Sequence, residues 1–313
     1  MKILVVGGNK FLGRVFIMQA YQNNEIYTIN RGSHHEIEKF GVIDPIISMI
    51  HQEYIMDRHD TKKLSNINVD FDAIVDCCGY NQNDIKLLTN YLPGKIGKYI
   101  LISTVDVYKK ISSDNYLKQE DFPFEQDTSV FPLEYQEYIN GKIMLEHELV
   151  DECNKKDIPY CSIRPSIIYG PYNYVPREKI YIEYLIKTGQ IVFPEDASGK
   201  FQFVYVKDVA NAILKLCEKE KIANSYNLCS NDILNYDKFS KLLLEYVDVP
   251  YQDWYLPCQT IIENQLPLPF PYLIQDTELC DGNKITEDID FSYTPHQEGI
   301  QKTYQAFKNV YSK

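Results

Sequence analysis

At 313 residues and 44% apolar content, the chain is long enough to bury a full core, as one large α/β domain or one domain with a smaller lobe, which excludes a disordered protein. Its formal net charge of −12 argues against general affinity for nucleic acid or an anionic membrane surface, because phosphate backbones are bound through an excess of Lys and Arg. Any anionic ligand must find a local basic pocket.

The opening apolar run, Met1–Val6, is too short for a signal peptide, and no run of ~18 apolar residues follows, so a cytoplasmic protein without a membrane partner is expected. Ile3–Val6 reads as a strand that breaks into Gly7-Gly8-Asn9-Lys10-Phe11-Leu12-Gly13-Arg14 and then an apolar-periodic helix. Such a turn aims backbone N–H groups and the positive end of a helix dipole at one point, where a pyrophosphate can sit. The next strand, Ile26–Ile29, ends in Asn30-Arg31-Gly32, where a βαβ unit places a ribose-binding residue. Further strand-like runs are Glu53–Met56, Ala73–Cys77, Tyr99–Ile102 and Tyr160–Ile163, with helical patterns between most of them. This alternation predicts an α/β fold with a doubly wound parallel sheet of Rossmann type, its ligands at the carboxyl ends of the strands.

Ser112–Pro132 is polar and turn-rich and reads as a loop; Leu133–Cys153 reads as one continuous helix. After Tyr169-Gly170-Pro171, Tyr and Pro become dense and the alternation breaks, as in Leu266–Tyr272. The expected division is a dinucleotide-binding Rossmann domain over 1–168 and a smaller C-terminal substrate lobe over 169–313, with Val204–Leu216 and Ser225–Leu228 returning to the main domain. The eight cysteines show no Cys-x-x-Cys spacing and no His/Cys cluster, so free, mostly buried thiols and no metal are expected. The five arginines, Arg14, Arg31, Arg58, Arg164 and Arg177, lie mostly beside these motifs, where a forked guanidinium can grip phosphate.

A Tyr followed four residues later by Lys occurs at Tyr91/Lys95, Tyr138/Lys142 and Tyr304/Lys308. Pro93-Gly94 interrupts the first pair, and the third lies in the last helix with no strand after it. Tyr138 and Lys142 share one face of a helix, so an ammonium can lie near a phenol and favour its phenolate. Thr104, at the tip of the neighbouring strand, would complete an acid–base group for an alcohol or carbonyl.

With these pieces in order, the chain resembles the extended short-chain dehydrogenase/reductases, the nucleotide-sugar epimerase/dehydratase family. The matching segments are Gly7-Gly8…Gly13, Asp57-Arg58, Ser103-Thr104-Val-Asp-Val-Tyr108, Tyr138…Lys142, Arg164-Pro165-Ser-Ile-Ile-Tyr169-Gly170-Pro171 and Phe203-Val-Tyr-Val-Lys-Asp208. The resemblance implies that Tyr138 is the acid–base residue, that Lys142 holds the nicotinamide ribose and tunes Tyr138, and that Thr104 orients the substrate hydroxyl. It implies a cofactor cradle of Gly7, Gly8, Lys10, Phe11, Leu12, Gly13, Asn30, Arg31, Asp57 at the adenine edge, Arg58, Cys77, Cys78, Gly79, Pro165 and Ser166. Substrate contacts would come from Tyr80, Thr104, Asp106, Arg177 and Gln202. A homodimer is implied, through the helices near Asn83–Leu92 and Leu133–Cys153, with Ile139, Ile143 and Leu149 as contributors; the competing reading packs these three on their own sheet.

Departures from the family pattern refine the expectation. Lys10 replaces the middle glycine of the turn, as in a branch containing bacterial epimerase-like or reductase-like proteins and the chloroplast stem-loop RNA-binding proteins. Asn30 stands where NAD-specific members carry an acid, and Arg31 with Lys10 or Arg14 could hold a 2′-phosphate, which favours NADP(H) over NAD(H). The competing reading makes these cations solvated surface charges. Val105 and Asp106 replace the Asp-Glu pair of the dehydratases, which argues against water loss and leaves Asp106 as a solvated or capping carboxylate. Gln202 replaces a diphosphate-binding Arg, a role that Lys200 or Arg177 could take. The expected function is an epimerase or keto-reductase acting on a sugar, nucleotide-linked. Its alternatives are an RNA-binding protein of the chloroplast type and a noncatalytic NADP(H) sensor.

Overall fold

The computed structural model describes residues 1–32, 45–111 and 116–311. Residues 112–115 of the predicted loop lie outside the described residues. Apolar side chains occupy both faces of the central strands, as in sheets covered on two sides. In β1 (Lys2–Val6), Ile3 and Val5 enter one core and Leu4 and Val6 the other.

The chain continues through α1 (Phe11–Ala20), β2 (Glu25–Asn30), β3 (Gln52–Ile55), α2 (Thr61–Leu64), β4 (Ala73–Asp76), α3 (Asp84–Tyr91) and β5 (Tyr99–Ile102). Then come α4 (Leu133–Lys156), β6 (Tyr160–Pro165), β7 (Ile167–Tyr169), α5 (Glu178–Thr188), β8 (Gln190–Pro194), β9 (Phe203–Tyr205), α6 (Val206–Glu218) and β10 (Ser225–Leu228). The last elements are α7 (Tyr236–Leu244), β11 (Gln252–Leu256), α8 (Cys258–Glu263), α9 (Asn283–Asp288) and α10 (His296–Tyr311).

Seven parallel strands form the central sheet in the order β10-β6-β5-β4-β1-β2-β3. The order reverses between β1 and β4, and a crevice opens at such a switch point beyond the carboxyl ends of the two strands. Here those ends lead into Gly7 and Cys77. Two small parallel pairs, β7 with β9 and β8 with β11, stand outside this sheet.

The helices divide between the two faces. Leu12, Val15 and Phe16 of α1 share a core with Val209, Ala212 and Ile213 of α6, while Ile85 and Leu88 of α3 share the opposite core with Leu145 and Leu149 of α4. A buried Lys98 ties β5 to the end of α6, its ammonium donating to the carbonyls of Leu216 (2.7 Å), Cys217 (3.1 Å) and Lys219 (2.5 Å), which a helix end otherwise leaves unpaired.

α4 runs beyond the predicted Cys153 to Lys156, and Asp157 closes it in the left-handed region with φ 54°. Its pose over the sheet is set by an ion pair with β6, in which Arg164 donates to both Glu146 carboxylate oxygens (2.9 and 3.0 Å) and to the Tyr108 hydroxyl (2.8 Å). Arg164 is thereby committed inside the protein. Ile139 and Leu149 are buried, and Ile143 packs against Val107, Tyr108, Cys229 and Cys280, so these three side chains serve the chain's own core. The large apolar residues exposed along α4 are Leu133, Met144 and Val150, with the tyrosines Tyr135 and Tyr138.

Candidate functional site

The glycine turn after β1 is built by close approach. Gly7 has φ +86°, and a Cβ there would lie 2.7 Å from Cys78 Sγ. A Cβ on Gly13 would meet the Gly7 carbonyl oxygen at 2.6 Å, so only glycine lets α1 start against the turn. Phe11 opens the helix at φ 36°, and Lys10 precedes it with no side-chain cap. The Asn9 Oδ1 is buried in this turn with no hydrogen-bond partner among the described residues. An unfilled acceptor and a cradle too tight for any Cβ fit the close approach of a ligand to the backbone.

A turn from the C-terminal half covers this cradle. Gly170 N–H and the Asn173 amide both donate to Glu178 (3.1, 2.9 and 3.0 Å), which folds 170–177 back on itself. Tyr172 and Tyr174 then present their rings to Arg14 (5.0 Å) and Lys10 (5.5 Å), so both cations of the turn are stacked on aromatic faces.

Beyond β5, Thr104 caps a short 3-10 turn at Val105–Val107. Its hydroxyl donates to Asp106 Oδ2 (2.9 Å) and accepts from the Asp106 N–H (3.2 Å). Tyr138 arrives from α4 and places its hydroxyl beside that of Thr104. Burial and then the Asp106 charge push the Tyr138 phenol up, opposed by Thr104 and by the nearby Arg177. The phenol is therefore protonated at neutral pH. Its ring as a whole keeps 37% of its surface exposed, so the desolvation belongs to the hydroxyl end and not to the entire side chain.

Lys142, one helical turn on, is buried and donates to the carbonyls of Gly79 (2.9 Å) and Ile102 (2.8 Å). Its ammonium lies 4.6 Å from the Tyr80 ring centre and 5.9 Å from that of Tyr138, the two rings being 6.2 Å apart. An ammonium has three donors, so one N–H is left for a ligand. Burial lowers the Lys142 pKa to about 8, against the opposing charge of Asp76. Between about pH 8 and the usual lysine value the unfolded chain binds more protons than the folded one, so stability rises with pH. In urea titrations, the stability of the wild type relative to Lys142→Met should therefore grow by about 3 kcal/mol at most between pH 7 and 10.5; a pH-independent difference would place Lys142 in an ordinary hydrated setting.

The rim of the crevice beyond β3 has its own network. Asp57 is exposed and accepts from the His59 N–H and Nδ1 (both 2.8 Å), while His59 Nε2 meets Asp84 Oδ1 (2.8 Å). Asp84 in turn accepts from the N–H groups of Tyr80 (2.9 Å) and Asn81 (3.0 Å). Arg58 is not at the rim. It is buried beneath it, with two hydrogen bonds to Asp76 (2.9 and 2.7 Å) and one to the Asp84 carbonyl (3.0 Å).

Other residues divide in the same way. Cys77, Cys78 and Gly79 line the crevice after β4, and burial pushes both thiols up, Cys78 to about 11, so neither is a thiolate at neutral pH. Pro165 and Ser166 lie at the end of β6. Arg177 is half-buried at the start of α5, close enough for its charge to lower the Tyr138 pKa. Gln202 stands apart, because its amide donates to the carbonyls of Ser230 (3.0 Å) and Cys280 (2.9 Å) and accepts from the Cys280 N–H (2.8 Å). No cluster of His, Cys, Asp or Glu suited to a metal occurs among the described residues, and no described helix is long and apolar enough to cross a membrane.

Two contributors lie outside the sequence expectation. A Cβ on Gly141 would sit 2.2 Å from the Tyr80 carbonyl oxygen, so this glycine lets the Tyr80 loop lie directly on α4. A mid-helix glycine costs about 1 kcal/mol against alanine, and that cost is its visible signal. The other is Asn9, which carries no signal beyond its place in the turn.

The sequence model of the NAD dependent epimerase/dehydratase family matches residues 3–229. The chain belongs to that family. The chloroplast stem-loop binding protein of 41 kDa b from Arabidopsis thaliana is 26% identical over 251 residues, 77% of this chain and 61% of that protein. This chain therefore spans less than two thirds of that relative. In fold it is similar to UDP-N-acetylglucosamine 4-epimerase from Methanobrevibacter ruminantium, with TM-score 0.76, 17% identity and coverage of 98% and 97% of the two chains. It is also similar to UDP-glucuronic acid 4-epimerase from Bacillus cereus, solved with UDP-glucuronic acid and NAD, with TM-score 0.71, 17% identity and coverage of 99% and 100%.

Proposed function

We propose that the chain is a nicotinamide-dinucleotide-dependent epimerase or keto-reductase acting at a secondary alcohol or ketone of a nucleotide-linked sugar. The observation that carries this reading is the meeting of Thr104, Tyr138 and Lys142 beside the glycine turn. Gly7, Gly8 and the Lys10–Gly13 segment would hold the pyrophosphate, Asp57 the adenine edge, and the remaining N–H of Lys142 the nicotinamide ribose. When bound, the dinucleotide supplies the hydride acceptor and donor for the carbinol carbon. Tyr138 moves the hydroxyl proton, and Thr104, oriented by Asp106, holds the reacting oxygen in line.

With Val105 and Asp106 after Thr104, no acid–base pair serves water loss. Arg177 is the cation that takes an anionic part of the substrate; Gln202, saturated by backbone, leaves that role to it. Of the cations from which an NADP(H) preference is expected, Arg31 is exposed, whereas Lys10 and Arg14 stack on the rings of Tyr174 and Tyr172. The solved neighbours are named for UDP-linked sugars, which supports that substrate class.

The test is mass-spectrometric identification of nucleotide released from the purified protein, followed by turnover of UDP-linked hexoses and their 4-keto forms. Interconversion of C4 epimers without net loss of reduced nucleotide identifies an epimerase, and stoichiometric oxidation of reduced nucleotide identifies a reductase. Neither outcome, together with tight binding of stem-loop RNA, would move the assignment to the second reading, RNA binding, which the Arabidopsis relative supports by its name.

The proposal includes a homodimer through the outer side of α4, where Leu133, Met144 and Val150 are exposed. Light scattering should give twice the chain mass; a monomer mass at every concentration rejects the dimer.

A further inference from the structure

The second strand of the sheet ends at Asn30, where a ribose-binding acid would stand, yet a carboxylate is present at that corner. In the β2–β3 register Thr28 pairs with Glu53 and Asn30 with Ile55, so Glu53 lies on the same face as Thr28 and Asn30. That face is the one on which the glycine turn sits, because a Cβ on Gly8 would touch Thr28 Cγ2 at 3.5 Å. From there Glu53 Oε1 accepts from Asn30 Nδ2 at 2.8 Å, while Asn30 Oδ1 accepts from the Gly32 N–H at 2.8 Å. The Asn30 amide is therefore fixed at both ends, and its donor is directed at an acid from the neighbouring strand.

We propose that Glu53 is the cofactor-selecting acid of this chain, displaced from β2 to β3 and presented through Asn30, and that it selects a dinucleotide with a free ribose 2′-hydroxyl over one with a 2′-phosphate. A carboxylate accepts a hydrogen bond from a hydroxyl and repels a phosphate. The local charge supports this direction. Arg31 is the exposed cation at the corner, and its field already acts on the Asp57 carboxylate, which is held below its usual range first by the His59 backbone and last by Arg31. Among the described residues, two carboxylates, Glu53 and Asp57, and one exposed guanidinium, Arg31, stand where β2 and β3 end, so a dianionic 2′-phosphate would meet more negative than positive charge from them. This reverses the expectation of NADP(H) drawn from Asn30 and Arg31 alone. The inference rests on the proposed binding of a nicotinamide dinucleotide.

The experiment is equilibrium binding, read by quenching of protein fluorescence during titration with NADH and NADPH, for the wild type, Glu53→Gln and Arg31→Ala. The wild type should bind NADH more tightly than NADPH. Glu53→Gln keeps an oxygen for the Asn30 bond and removes the charge, so it should improve NADPH relative to NADH by roughly tenfold. Arg31→Ala should leave the wild-type preference in place. A wild type that prefers NADPH, or a ratio unmoved by Glu53→Gln in a protein with an unchanged unfolding midpoint, overturns the role of Glu53 while leaving dinucleotide binding intact. Binding of neither nucleotide overturns both this inference and the reading on which it rests.

Discussion

Tyr138→Phe should reduce single-turnover hydride transfer on a verified substrate by about 10²–10⁴-fold, the range that a positioned acid–base group contributes, with fold and dinucleotide affinity nearly unchanged. The ring stays, so its packing beside Tyr80 is kept, and only the hydroxyl beside Thr104 is lost. Thr104 does not collapse into the space, because Asp106 holds its hydroxyl from both the carboxylate and the N–H. The phenol is pushed up by burial and by Asp106, so the resting site holds a proton ready to give to a ketone oxygen. The same group takes the proton back in the oxidising direction, so the variant should be slowed in both directions. Rates like the wild type in Tyr138→Phe would remove Tyr138 from the chemistry and promote the noncatalytic readings. Lys142 supplies the contrast: it touches Gly79 and Ile102 carbonyls as well as facing the site, so Lys142→Met should disturb binding and turnover together.

The fold was legible because its signals are local and repeated. Apolar runs of strand length alternate with helical periods, and the tight turn at Gly7 and Gly13 leaves glycines that no other residue can replace. The pairing of Tyr138 with Lys142 was legible for the same reason, since spacing along one helix decides it. What the sequence hides is the destination of long polar side chains. Arg58, Arg164 and Gln202 look like ligand-binding groups when read beside their motifs, yet Arg58 and Arg164 close buried ion pairs and Gln202 clips three backbone groups together. Their partners, Asp76, Glu146 and the Ser230 and Cys280 backbones, come from elements distant in the chain, which no local pattern records. Glu53 is the opposite case. It lies in a strand with no motif of its own and reaches Asn30 only through the register of β2 and β3.

Replacing Arg58 with Leu should destabilise the protein by about 3–5 kcal/mol, the usual cost of breaking a buried ion pair by removing one partner. Asp76 is fully buried at the end of β4, and burial alone would raise its carboxyl; the charge and two hydrogen bonds of Arg58, with the Tyr99 hydroxyl at 2.7 Å, hold it below the usual range. A carboxyl lowered in the folded state gives stability that is present above its unfolded pKa and lost as pH falls through the folded value. Without Arg58 the burial effect prevails and the sign reverses, so the variant loses stability as pH rises. The deficit against the wild type should accordingly be largest near neutral pH and shrink as pH falls toward the carboxylate range, read from urea unfolding at each pH. The double variant Arg58→Leu, Asp76→Leu should recover much of the loss, because it leaves no buried charge without a partner. If Arg58 instead serves the cofactor, Arg58→Leu will unfold like the wild type and lose dinucleotide affinity. That outcome would return Arg58 to the rim of the crevice, and the clasp beneath β4 would have to be held by Tyr99 and the Cys78 N–H alone.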